Sequence, residues 1–507
     1  MNIKKIALAL SGAGIALLPG ISQANDSDEM EQLRALVQEL KQEVKGLKQD
    51  LGGKVQALEK NNDEIVAKQK DAPIVKASEE GFGIKSADGQ HEIKLRGQIQ
   101  VDGRFFPGGD GFASGNTDAN EVRAPNTFLL KQFRPILQGT VFGKYDFLLV
   151  PDFGNGKTVI QDAYVDARLT PWFQVKAGKQ KVPFGLERLQ GDADGKFIER
   201  GLTSNIAPNR DIGVQVHGMV GDEMLDYALG YFDGALDGSS TDSFTNSDTD
   251  NNSDKDFVAR VFSKPFKSNG PDFLKGLGFG LAATYSDVRG RGWTSNATAS
   301  TTTAGVTTYS MTSSQSNLIG YKSALGQLSF FGYRTATVSA TDTATYADGE
   351  RYRLSPQFTY YNGPFGLMGE YVRVSQEVSL EKNGHWHGKL DNEAWQVVAS
   401  WMLTGEDASY KYPKVKSPFD PDKGAWGAWE LVARYSELDI DDDAFAPHGS
   451  GATRQKRSFA DPLKAASKAE AWAVGVNWYL NKTFKLSLDY EDTSFDGGWA
   501  GCNRCLS

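Results

Sequence analysis

The sequence predicts an all-β chain, a transmembrane antiparallel β-barrel of about 16 strands preceded by a short N-terminal coiled coil. Three observations predict it. An export signal opens the chain, no later stretch is apolar enough to cross a membrane as a helix, and segments alternating apolar with polar residues recur from residue 91 to residue 495.

Lys4 and Lys5 precede an apolar run from Ile6 to Leu18, and Ser22-Gln23-Ala24 supplies the small residues that a signal peptidase reads, so cleavage is expected after Ala24. The run is shorter than the roughly 20 apolar residues of a spanning helix. An exported chain without such a helix is periplasmic, secreted or a β-barrel. Composition favours the barrel, because 55 Gly, 28 Phe, 18 Tyr and 10 Trp recur beside alternating segments. A negative mean hydropathy agrees with this reading, since only every second strand residue of a water-filled barrel meets lipid. The formal net charge of −9 is no footprint for nucleic acid.

Residues 1–24 are thus expected to be the signal peptide, 25–72 a periplasmic coiled coil and 73–507 the barrel. Met30, Leu33, Val37, Leu40, Val44, Leu47 and Leu51 step by three and four, and Val55, Leu58 and Ile65 continue after a four-residue step near Gly52-Gly53. Glu39, Lys41, Glu43 and Lys45 occupy the outer faces, so oligomerisation explains the pattern better than burial in a core. The alternative is an amphipathic helix lying on the barrel.

Asp71-Ala72-Pro73 ends the helix, and from His91 the period becomes two. Ile93, Leu95, Ile99 and Val101 share one face, while Lys94, Arg96, Gln98, Gln100, Asp102 and Arg104 share the other. Comparable segments follow at 127–141, 144–152, 159–169, 172–180, 210–219, 224–233, 255–265, 277–288, 351–361, 365–378, 393–404, 426–440, 469–480 and 484–495. Several exceed the usual globular strand of about 5–6 residues. Phe142-Gly143-Lys144, Thr170-Pro171 and Leu480-Asn481-Lys482 read as short periplasmic turns. The Ser/Thr/Asp-rich stretches at 237–254 and 294–317 and the acidic run from Asp439 read as outward loops.

The wording of several segments is specific. Gly178 to Gly218 contains G-K-Q-K-V-P-F-G-L-E-R, D-G-K-F-I-E-R and N-R-D-I-G-V-Q-V-H-G; later come W-M-L-T-G-E (Trp401 to Glu406), G-A-W-E-L-V-A-R-Y-S (Gly427 to Ser436) and V-G-V-N-W-Y-L-N (Val474 to Asn481). These resemble the phosphate-selective porin family of bacterial outer membranes, over nearly all of the chain after its N-terminal region. The resemblance implies a homotrimer in outer-membrane lipid that passes phosphate, polyphosphate or other small anions. It also implies an inward constriction loop, from Lys179 to Arg210, whose lysine matches Lys196, and a nearby wall aspartate matching Asp162. Members of the family end on a further strand with a C-terminal aromatic. This chain stops at F-D-G-G-W-A-G-C-N-R-C-L-S, so the last strand is expected to be missing, with Leu328 to Val338 the other candidate for a sixteenth.

Alternation points Lys94, Arg96, Arg134, Arg168, Lys176, Arg260, Arg351, Arg353, Arg434 and Lys485 into the pore, with Asp162, Asp166, Asp211 and Glu430. Basic groups outnumber acidic ones on this expected wall, and a low-dielectric wall focuses such a field into the lumen. Arginine offers an oxyanion two hydrogen bonds and keeps its charge. The expected anion-binding and pore-lining set is Lys196, Asp162, Arg96, Arg134, Arg168, Arg260, Arg353 and Arg434. The alternative is that these cations pair with wall carboxylates and hold the interior in register; Glu199 and Arg200 read as such a pinning set.

No catalytic constellation is found. Histidines 91, 217, 385, 387 and 448 are scattered, and P-loop, G-x-S-x-G and H-E-x-x-H patterns are absent from the sequence. His385-Trp386-His387 reads as a polar loop tip rather than half a metal site, and Cys502 and Cys505 as a terminal pair without chemistry. No metal and no cofactor are expected. The expected function is a passive anion-selective channel; the alternatives are a general small-anion or carboxylate porin and a structural envelope anchor.

Overall fold

The computed structural model describes residues 27–78, 81–106, 126–240, 254–290, 298–303, 306–310, 316–325, 328–334, 336–337, 344–381, 386–448, 458–462 and 464–497. The signal peptide at 1–24, His385 and the Cys502–Cys505 pair lie outside them, as do parts of both Ser/Thr-rich loops. The chain falls into two units, Met1–Ala72 and Pro73–Ser507.

The first unit is one α-helix, α1 (Ser27–Asp71), 45 residues long and so about 68 Å from end to end. Its apolar stripe is exposed: Leu33, Leu40, Leu47 and Leu58 are all more than half accessible.

The second unit is a β-meander. Its strands are β1 (Ile74–Ser78), β2 (Gly81–Lys85), β3 (Glu92–Arg104), β4 (Thr127–Val141), β5 (Tyr145–Asp152), β6 (Val159–Thr170), β7 (Phe173–Lys181), β8 (Arg210–Val220), β9 (Leu225–Phe232), β10 (Asp256–Ser263) and β11 (Leu277–Arg289). Five short pieces follow: β12 (Thr298–Thr303), β13 (Val306–Ser310), β14 (Tyr321–Lys322), β15 (Ser329–Phe331) and β16 (Ala336–Thr337). The meander resumes with β17 (Ala344–Asn362), β18 (Phe365–Glu381), β19 (Trp386–Met402), β20 (Ala428–Asp439), β21 (Lys468–Tyr479) and β22 (Lys485–Asp496). Each strand from β1 to β11 pairs antiparallel with the next, β11 pairs with β17, and the run continues to β22 in one 17-stranded sheet. Its long members, β3 to β11 and β17 to β22, coincide with the alternating segments of the sequence.

Three details differ from expectation. β19 begins at Trp386 instead of residue 393, so Trp386 and His387, expected in a polar loop tip, lie on a strand paired with β18. β17 begins at Ala344 instead of residue 351, with a register shift between Ala347 and Arg351. The irregularity follows from Gly349, whose φ of +138° and contact with Glu377 exclude a side chain. Leu328 to Val338 is not a sixteenth wall strand: within it Phe330 and Phe331 are consecutive and both buried, against Phe495 and Tyr321 respectively. A wall strand would send them to opposite faces.

The sheet inverts the burial of a water-soluble core. Ile99, Val101, Val165, Leu229, Leu281 and Leu488 are exposed, while Arg353 heads the largest fully buried side chains. Burying one such aliphatic side chain is worth about 1.5–3 kcal/mol, so a surface of this kind is stable only where lipid covers it. Exposed Phe142, Trp172, Phe365, Trp401, Trp426 and Phe484 lie at the turn end of the strands, and the pairs Phe105–Phe128, Tyr231–Phe257 and Tyr285–Tyr352 lie towards the loop end. Two aromatic girdles are what a barrel presents to the two membrane interfaces. Short turns at the first end, such as the one through Phe142 and Gly143 with φ of +51° and +65°, agree with this polarity. The segment 403–427 at the same end is longer and folds back, its Tyr410 and Tyr412 reaching the loop between β7 and β8.

Candidate site at the inward loop

The loop 182–209 between β7 and β8 is fastened to the inner wall along its length. At its start, Glu370 of β18 accepts from the backbone of Leu186 at 2.6 Å and from Thr203 Oγ1 at 3.0 Å. Gln396 of β19 donates to both Glu370 and Glu187, at 2.8 and 3.0 Å. These groups cap the one-turn helix Leu186–Leu189, whose first N–H groups would otherwise lack acceptors.

Further along, Asp192 pairs with Arg134 and Arg200. Burial alone would push the Asp192 carboxyl up, but Arg200, Arg134 and Lys181 together hold it well below the usual carboxylate range. A carboxylate depressed in the folded state stabilises above its unfolded value and stops doing so only as pH falls through the folded one. This pin should therefore survive mild acid. The Asp192 carboxylate is expected to stay ionised between about pH 7 and pH 5 in infrared difference spectra assigned with Asp192→Asn, and its protonation in that window would show that the arginines do not hold it.

Lys196 donates to Glu430 of β20 at 2.7 Å, with both side chains buried, and Tyr479 and Asn477 donate to the same carboxylate at 2.6 and 3.3 Å. Glu199 meets Arg104 at 2.6 Å and Lys131. Glu199 and Arg200 thus both sit in ion pairs that fasten the loop.

The remaining expected site residues divide by partner. Asp162 accepts from Arg210 at 3.1 Å, and among the described residues no contact joins this pair to Lys196–Glu430. Arg134 also meets Asp152 at 2.6 Å. Arg353 meets Asp237 at 2.8 Å and Asp256 at 3.0 Å. Arg434 meets Glu491 at 2.7 Å and lies over the Phe197 ring at 4.4 Å. Arg168 pairs with Asp146 at 2.6 Å at the turn end, half exposed and away from the loop. Arg96 is exposed and donates to Gln138 at 2.7 Å. Arg260 donates to Gln357 at 3.2 Å, and its nearest carboxylate, Asp226, is 3.9 Å away.

Among the described residues the buried charged side chains are nine basic and ten acidic, so the buried part of the interior is balanced. The reason is that the loop and neighbouring strands bring in carboxylates that a face-by-face reading passed over, chiefly Asp152, Glu187, Asp256 and Glu370. Glu370 had a signal: it is the one charge between Met368 and Val372 on the alternating inner face of β18. Lys181 and Lys485 are the other cations the reading underweighted. Each donates to a loop carbonyl, Lys181 to Gln190 and Lys485 to Gly195 at 2.8 Å, and neither has a carboxylate in ion-pair contact among the described residues.

The model of the family "Phosphate-selective porin O and P" matches residues 93–323 and 333–496. The chain belongs to that family. Porin O of Pseudomonas aeruginosa is 28% identical over 162 residues, which are 31% of this chain and 33% of that protein, so the match spans about a third of the relative's length. Among solved structures, the outer membrane channel DcaP of Acinetobacter baumannii is similar at a TM-score of 0.45 and 13% identity, covering 84% of this chain and 96% of that one. OmpT of Vibrio cholerae is similar at 0.44 and 12% identity, covering 80% and 88%. As a member of the family the chain is a porin of the bacterial outer membrane, and the membrane supplies the apolar surroundings that its exposed faces require.

Proposed function

We propose that this porin is a passive channel selective for small anions, with phosphate-class oxyanions as preferred solutes. The observation that carries the reading is the set of cations around the loop, Lys181, Arg260 and Lys485, whose closest hydrogen bonds go to neutral oxygens. A neutral acceptor gives way to an oxyanion at little cost, because the new bond is charge-assisted and roughly twice as strong. A cation already bonded to a carboxylate gains far less. Weak sites in series also let the anion leave, as conduction requires.

Lys196 belongs to this path in a reserved form. Its ammonium lies in the electrostatic reach of Lys485, while Glu430 acts as a built-in counterion that an anion must displace. Asp162, committed to Arg210, shapes the wall on the β6 side. Arg134, Arg353 and Arg434 hold the interior in register, and Arg96 and Arg168 act outside the narrow part.

Replacing Arg260 or Lys485 by glutamine removes one charge-assisted bond, about 1.5–3 kcal/mol, or roughly ten- to hundredfold in phosphate block of chloride current. Unchanged block in both variants, with the trimer intact, would remove these two cations from the path.

Oligomerisation belongs to α1. Three copies of its stripe are proposed to form the periplasmic coiled coil of a homotrimer. Deleting residues 27–71 should leave the β-sheet circular dichroism as it is and lower the temperature at which trimers dissociate in detergent. Loss of β structure instead would show that the helix serves the barrel itself.

A further inference from the structure

Towards the turn end of the inner wall, polar side chains of three neighbouring strands meet. Nε2 of His217 on β8 lies 3.0 Å from both oxygens of Asp166 on β6, and Nζ of Lys176 on β7, between them, lies 3.4 Å from the same carboxylate. The three side chains are between 12% and 19% exposed, so lumenal water reaches each of them. Lys176 also lies over the Tyr164 ring at 4.9 Å. On the far side of His217, Asp226 of β9 is in the electrostatic reach of His217, Lys176, Lys264 and Arg260, and Arg260 approaches it to 3.9 Å. Asp146 of β5 is held by Arg168. His387, the other described histidine on a long wall strand, shares the outer face of β19 with exposed Trp395.

We infer that His217 is a selectivity-determining residue of the lumen, whose protonation adds a cation beside Arg260 and raises the preference for anions as pH falls. This role rests on the anion path through Arg260 proposed above. Histidine is the side chain whose charge ordinarily changes between about pH 5 and pH 8. While the imidazole is neutral, Lys176 balances Asp166 and Arg260 balances Asp226. A proton on His217 then adds a charge that no carboxylate of this group is left to match. The wall need not move, because the hydrogen bond to Asp166 persists and becomes charge-assisted on both sides. A low-dielectric wall focuses the added charge into the water-filled bore.

The test is the reversal potential of the purified wild-type porin in a KCl gradient at about pH 7.5 and about pH 5.5, beside His217→Gln and His217→Lys. Chloride is the probe because, unlike phosphate, it does not titrate in that window. The chloride-to-potassium permeability ratio is expected to rise about threefold on acidification of the wild type, the effect of one unit charge a few ångströms from the path. It should stay level in His217→Gln and sit near the acid wild-type value at both pH values in His217→Lys. A wild type without a pH response, a response of the same size in His217→Gln, or a His217→Lys ratio that still follows pH would overturn the role. If the glutamine variant does not insert, the lysine variant decides alone. Should His217 only fasten β8 to β6, both variants dissociate at lower temperature with selectivity and its pH response unchanged, which also overturns it. Cation selectivity of the wild type at both pH values contradicts the anion path itself, whereas anion selectivity without the pH response contradicts only the part given to His217.

Discussion

Replacing Arg353 by methionine is expected to cost the folded porin about 3–5 kcal/mol, the usual consequence of leaving buried carboxylates without a counter-charge. Its guanidinium has no exposure and engages Asp237, Asp256 and the carbonyl of Ala235, at 2.8 to 3.0 Å. Arg351 also touches Asp256, at 2.8 Å, so the loss falls mainly on Asp237 and on the fork geometry that joins loop to wall. Arg353→Lys keeps the charge but not the fork and should fall between wild type and methionine. Equilibrium unfolding of the folded barrel from detergent or bilayers reads the difference. A methionine variant within about 1 kcal/mol of wild type would mean that hydration inside the barrel screens these charges as at a surface.

Glu430→Gln is expected to act in the opposite sense on transport. Glutamine can keep the hydrogen bonds from Tyr479 and Asn477, but it no longer neutralises Lys196, whose ammonium then adds to that of Lys485. Phosphate should block chloride current at concentrations lower by tenfold or more, for about 1.4 kcal/mol or more of added binding, and conductance should fall as the anion leaves more slowly. If Lys196 serves only to fasten the loop, the same substitution loosens the loop, raises conductance and weakens the block. The direction of the change separates the two roles. Lys196→Glu would not, because it sets two buried carboxylates against each other and displaces the loop whichever role holds.

Much of the fold was legible in the sequence, because a barrel wall writes its geometry into a period of two. Ile93, Leu95, Ile99 and Val101 had to face one medium and Lys94, Gln98 and Gln100 the other, whatever the neighbouring strands were. β17 and the Phe330–Phe331 segment were less legible for a related reason: a glycine kink and a pair of adjacent aromatics break the alternation, and only packing inside the barrel decides where those residues go. The loop was legible as a segment but its partners were not. The inward loop and its lysine carried recognisable wording, whereas the commitment of Lys196 to Glu430, 234 residues away, depends on register across the lumen. The same holds for Asp162, which alternation placed on the wall without revealing Arg210 opposite. Pairing across the barrel also explains why the buried arginines are balanced: of the compensating carboxylates Asp152, Asp256 and Glu370 lie on wall strands and Glu187 on the loop, and which cation each one meets depends on register and not on the period.

The central claim is that cations held by neutral oxygens around the inward loop make this porin a weak, phosphate-preferring anion path. Chloride conductance of the purified wild-type protein in planar bilayers, measured first in a salt gradient and then with phosphate added, tests it most directly. The account predicts a reversal potential of anion-selective sign and a saturable block by phosphate that sulfate-free chloride alone does not show. A cation-selective or unselective reversal potential, or chloride current that phosphate leaves untouched, would contradict it.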